Sequence, residues 1–82
     1  MFHRISKVEP RPDLCLLVWF ANSEIKRYNV KPLLSEWEPF RSLETIPGLF
    51  NSVKVDANGF GVVWNDDIDL SCNELYNNGV PV

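Results

Sequence analysis

Asp66, Asp67 and Asp69 form the densest acidic cluster of the chain, and Asp56 and Asn58 stand a short way upstream. Carboxylate and amide oxygens in such numbers are the ligands that a hard cation takes. Counted from Asp56, a calcium-loop pattern is partly met, with Asn58 third and Gly61 sixth. It then fails: Phe60 takes the fifth place, and Asp67 stands where the twelfth should be glutamate. Aspartate also binds nearby backbone amides in turns and suits helix N-termini, so a structural role is assigned and no metal ligand set. His3 is the sole histidine and has no orienting neighbour in sequence, so no acid–base or nucleophilic constellation is assigned. Glu36 and Glu38, two apart, read as solvated carboxylates rather than an acid–base pair.

Cys15 and Cys72 are too few for a disulfide framework. Cys15 falls in an apolar run and reads as a small hydrophobe. Cys72 falls in the first turn of the last expected helix, a position that lowers a thiol pKa. No Cys-x-x-Cys supports a redox role. The glycines are Gly48, Gly59, Gly61 and Gly79, and none builds a phosphate-cradling loop, so no cofactor is assigned. These absences set the expectation of a protein without catalytic residues.

Two groups remain as interaction candidates. Trp37 lies between Glu36 and Glu38 and before Pro39, which makes it the tryptophan expected to be exposed. With Phe40 and Arg41 it forms the expected partner surface, since Trp and Arg are enriched at binding hot spots. Arg4, Lys26, Arg27 and Lys31 form the expected nucleic-acid contact, because condensed phosphates reward clustered cations. Residues 1–41 carry seven Lys/Arg against five Asp/Glu, and residues 42–82 one against six, so +2 and −5 sum to the net −3. Acids interleave with the cations, which favours a solvated strand face.

The elements that must position these residues are short. Eighty-two residues make a single domain, 1–82, and 45% hydrophobic content with three tryptophans favours a packed globule. The longest apolar run, Leu14 to Ala21, is far from the ~20 residues of a membrane span, and Met1 to Lys7 has no apolar signal region. A cytoplasmic protein is expected. Ile5–Val8 reads as a strand broken by Pro10 and Pro12. Leu14–Phe20 reads as a strand apolar on both faces, hence central and covered on both sides. Glu24–Val30 pairs with it as a hairpin, with a bulge near Lys26 and Arg27 to reconcile its alternation. Ser35 with Glu38 matches a capping box, and Thr45 a further cap. Short helical pieces then lay Leu33, Leu34, Trp37, Phe40, Leu43, Leu49 and Phe50 on the sheet. Val53–Val55, Phe60–Trp64 and Ile68–Leu70 form a second hairpin unit around the Asn58-Gly59 turn. Ser71 caps a last helix, with Glu74 completing the capping box, and Gly79 ends it in a left-handed conformation. The fold class is α+β: a small antiparallel sheet of two β-hairpin units, each followed by short helical segments, with a short C-terminal helix.

In this order the pieces are similar to the Domain of Unknown Function 2442 family, small bacterial proteins of about this length. Phe20 to Glu24 resembles its F-x-N-G-E hairpin and Tyr28 to Leu34 its F-D-V-x-P-L-L element. Leu49 to Asp56 resembles its L-F-x-x-V-x-V-D block. Trp64 to Leu70, with Leu75-Tyr76 after it, resembles W-x-x-G-x-D-L followed by L-Y. Ser23 and Asp67 stand where turn glycines are usual, and Asn29 where aspartate is. The resemblance implies an α+β domain with antiparallel strands and no established activity. Some members carry an added helix-turn-helix domain, which implies a sensor or interaction role, and members are often encoded beside another small protein. A non-enzymatic protein-interaction module is therefore expected, acting through a sheet edge or the segment around Trp37. Its expected partner is another small protein. The alternatives are an antitoxin-like regulator contacting nucleic acid and a small metal-dependent enzyme using the Asp66–Asp69 turn, and homodimerisation stays open.

Overall fold

The computed structural model describes residues 3–82. In chain order its elements are β1 (Ile5–Arg11), β2 (Cys15–Phe20), β3 (Ile25–Asn29), α1 (Leu33–Glu36), α2 (Ser42–Thr45), β4 (Lys54–Val55), β5 (Gly61–Asn65), β6 (Ile68–Ser71), α3 (Cys72–Asn78) and β7 (Val80–Pro81). Single 3-10 turns at Glu38–Arg41 and Phe50–Ser52, and a tight turn at Pro12–Leu14 with Asp13 and Leu14 left-handed, join them. The α+β class with antiparallel strands and a short C-terminal helix is as the sequence predicts. The strands divide between two sheets, one ordered β1-β2-β3-β7 and one ordered β4-β5-β6. The Ile5 amide donates to the Gly59 carbonyl at 2.8 Å and ties the first sheet to the turn before β5.

Alternation decides which side chains enter the core. Leu16, Val18 and Phe20 of β2 and Tyr28 of β3 turn inward, and Val62 and Trp64 of β5 and Ile68 and Leu70 of β6 meet them. Leu33, Leu34, Leu43 and Phe50 of the middle segment fill the space between, and Leu75 of α3 closes it. Among the described residues no buried side-chain nitrogen or oxygen lacks a partner.

Several local expectations change. β2 is central in its sheet, yet its second face is not covered by another layer: Cys15, Leu17 and Trp19 are only half-buried. The cover there is a cation, with Lys7 Nζ 4.7 Å from the Trp19 ring centre, since a lysine stem shields apolar surface while its charge stays in water. The β2–β3 register runs without interruption from Cys15–Asn29 to Trp19–Ile25, so no bulge occurs at Lys26. Lys26 instead lays its stem on α3 and donates to the Tyr76 carbonyl at 2.6 Å, a cation at a helix C-terminus. The irregularities fall between Ile5 and Lys7 in β1 and between Val63 and Asn65 in β5. Ser35 lies inside α1 and donates to the Pro32 carbonyl rather than capping. Thr45 closes α2, its hydroxyl donating to the Arg41 carbonyl.

At the last helix Ser71 Oγ accepts the Glu74 amide at 3.1 Å, as its cap position requires. Gly79 is extended, with φ −75°, not left-handed. Its place is set by crowding: a Cβ there would collide with the Leu75 carbonyl and press on Lys26 Cβ at 3.1 Å.

Candidate partner-binding groove

Trp37 is the one tryptophan that projects from the surface, 53% exposed. Its backbone is fixed on both sides. The Trp37 amide donates to the Leu33 carbonyl at 3.0 Å, ending α1, and its carbonyl accepts the Phe40 amide at 3.0 Å, opening the next turn. An extended residue between two turns suits this sequence, because Pro39 supplies no amide and starts a helical turn readily. The side chain is thereby pushed outward.

Behind it an aromatic series runs inward. The Trp37 and Phe40 ring centres lie 5.6 Å apart at a 49° tilt. Phe40 meets Trp64 edge-on at 6.1 Å, and Trp64 stacks on Phe50, also at 6.1 Å. Trp64 Nε1 donates to the Phe50 carbonyl at 3.1 Å, so its one polar atom is satisfied within the core.

The turn between β5 and β6 approaches this segment from the other hairpin. Asp67 is held there by its amide, which donates to Asn65 Oδ1 at 2.9 Å. Together they enclose an open groove of about 410 Å³, lined by Trp37, Pro39 and Phe40 and by the acidic residues Glu36, Glu38, Asp67 and Asp69, with Glu36 also acting on Tyr28. The ion pairs among the described residues are Lys7–Glu9 at 3.1 Å and Arg11–Glu9 at 3.9 Å, so none of the four groove carboxylates is neutralised by a side-chain cation. A tryptophan in an acidic groove can receive a cation, which gains from ring and carboxylates together.

Of the expected partner surface, Trp37 is exposed, while Phe40 packs inward, as the expectation that it lies on the sheet has it. Phe40 is only 4% exposed, because its ring bridges Trp37 to the core, and it serves as the groove floor. Arg41 is exposed, and its Nε donates to the Leu34 carbonyl at 3.3 Å, tying the end of α1 to the following turn. It does not line the groove. Asp67 and Asp69, which the sequence reads as turn formers, join the groove from the other hairpin. Their distance in sequence from Trp37 hides the meeting, and the only advance signal is that both segments are acidic beside an aromatic.

The cations of the expected nucleic-acid contact have different neighbours and faces. Arg4 sits 5.2 Å from the Phe60 ring centre. Lys26 is occupied by Tyr76, lying 3.7 Å from that ring centre as well as bonding its carbonyl. Arg27, next to it on a strand, points to the opposite face. Lys31 follows β3, its amide donating to Asn29 Oδ1 at 3.1 Å.

Among the described residues no group of three or more His, Cys, Asp or Glu is arranged to hold a metal ion. Asp56 Oδ1 accepts the amides of Asn58 at 3.0 Å and Phe60 at 2.9 Å, the turn role expected of it. Cys72 is buried, and desolvation, with Asp56 nearby, pushes its thiol pKa up rather than down. Its Sγ donates to the His3 carbonyl at 3.2 Å. Tyr28 hydroxyl donates to Glu74 Oε2 at 2.8 Å, and burial followed by that bond raises its pKa far above the ordinary phenol range. Both groups are held neutral, which suits structure rather than nucleophilic chemistry. No helix among the described residues is long and apolar enough to cross a membrane.

No curated protein and no solved structure matches the chain. The profile of a family described as proteins of unknown function matches residues 5–81, from the first strand to the last. The chain thus belongs to the Domain of Unknown Function 2442 family.

Proposed function

We propose that this chain is a non-catalytic protein-interaction module whose contact surface is the groove around Trp37. The observation that carries the reading is a half-exposed tryptophan on a buried aromatic floor, surrounded by carboxylates without cationic partners. An indole on a fixed backbone that already packs on Phe40 has less freedom to lose on binding, which is how an aromatic anchor contributes affinity. The engagement of Lys26 by Tyr76 and the opposite facing of Arg27 favour this reading over nucleic-acid contact, which rewards clustered cations. The partner is a small protein presenting lysine or arginine to the groove.

Co-expression with the product of the adjacent gene tests this. Co-elution through size exclusion at micromolar concentration, lost in Trp37→Ala, is the expected result. Separate elution of two folded proteins would end the reading.

A further inference from the structure

The partner's mode of attachment follows from which sheet edge is left open. In the first sheet the Phe20 amide donates to the Glu24 carbonyl, so the even-numbered residues of β2 bond β3 and the odd-numbered ones bond β1. Pro10, opposite Leu16, therefore occupies a position whose missing amide would have pointed outward. At the other edge the Val82 amide donates to the Ile25 carbonyl, which leaves Pro81, opposite Lys26, in the same kind of position. A proline at an outward site removes the donor that an incoming strand needs, so both edges of this sheet are blunted.

The second sheet has no proline on its β6 edge. The Cys72 amide donates to the Phe60 carbonyl, in register with the Val62–Leu70 pair. Asp69, opposite Val63, and Ser71, opposite Gly61, therefore turn their amides away from β5. This edge borders the groove, since Asp69 belongs to both.

We infer that the occupant of the groove is an extended, lysine- or arginine-bearing segment of the partner protein that adds as a strand to β6 and lays a cation on Trp37. The inference rests on the reading of the groove as a protein-binding surface and gives it a geometry. Strand addition provides backbone bonds to Asp69 and Ser71 and alternation for every second side chain. The charge of the occupant follows from Glu38, Asp67 and Asp69, which line the groove. Its extended form follows from the edge.

The probe is a short labelled peptide in which lysine alternates with threonine and valine, titrated by anisotropy against the full chain. Raising salt from about 0.02 M to about 0.3 M should weaken binding roughly tenfold, because the charges meet at the surface. Trp37→Ala should weaken it roughly fivefold, the value of a cation–aromatic contact. Asp69→Asn should weaken it too, with circular dichroism confirming the fold of both variants. Bound peptide should slow exchange of the Asp69 amide, and the same peptide N-methylated at alternate residues should lose binding with its charge intact. Binding that tolerates N-methylation in both alternations and leaves the Asp69 amide unprotected would overturn strand addition while leaving the groove in place. Binding indifferent to both substitutions would place the peptide elsewhere and sink the inference. Failure of the peptide, with Trp37-dependent capture of the adjacent gene product intact, would also sink it but spare the proposed function; failure of both would remove both.

Discussion

Trp64 and Trp37 occupy the two ends of one aromatic series through Phe40, and the same side chain has opposite duties there. Trp64 is 6% exposed, packed between Phe40 and Phe50 with its indole nitrogen bonded. Trp64→Ala should cost about 3–5 kcal/mol, from lost transfer energy and the cavity left behind. Trp37→Ala should shift stability by no more than about 0.5 kcal/mol, as an exposed position without a structural bond from its side chain. Urea midpoints measure both, and equal shifts would show that the two rings are not divided between core and surface. Tyr28 sets a pH dependence. Its hydroxyl stays protonated in the fold well beyond the ordinary value of 10, while the unfolded chain ionises there. Above that pH the unfolded state binds fewer protons than the native state, so stability falls as pH rises, and it is unaffected below. Tyr28→Phe should flatten this decline between about pH 10 and pH 11 in urea titrations, the range that starts where the unfolded phenol titrates.

At the scale of elements, turns and caps hold units too short to stand alone. α3 has seven residues, below the length at which a helix is stable in isolation, so its start depends on Ser71. Ser71→Ala should cost about 1 kcal/mol through the lost bond to the Glu74 amide, read from the urea midpoint, with Ser71→Asn retaining most of it. The β2–β3 turn carries strain. Ser23 has φ +75°, where a side chain crowds the backbone. Ser23→Gly should stabilise by about 0.5–1 kcal/mol, the steric relief less the greater freedom of glycine when unfolded. Asp67, the other site where the family resemblance anticipates glycine, has no positive φ and is held by Asn65. Asp67→Gly should therefore give no gain. Matched thermal melts separate the two turns, and a stabilised Asp67→Gly would contradict the geometry.

Across the whole molecule the two sheets share one core. Leu16, Val18 and Phe20 of the first belong to the same buried cluster as Val62, Trp64 and Ile68 of the second. Neither sheet can lose its partner without exposing that cluster, so a single cooperative transition is expected, with tryptophan fluorescence and far-ultraviolet circular dichroism giving coincident urea curves. Two separated curves would mean that the sheets unfold independently.

The apolar runs of residues 14–20 and 60–64, the turn residues and the Ser71 cap were enough to place strands and the last helix, because these depend on neighbours within a few positions. The ordered motifs from Phe20 to Tyr76 pointed to the family for the same reason. What the chain order could not carry was company at a distance. The half-open outer face of β2 and the occupation of Lys26 by Tyr76 depend on which elements lie across from which. So does the meeting of Asp67 and Asp69 with Trp37. Sequence periodicity tells which residues share a side of a strand, but only packing tells whether anything covers that side.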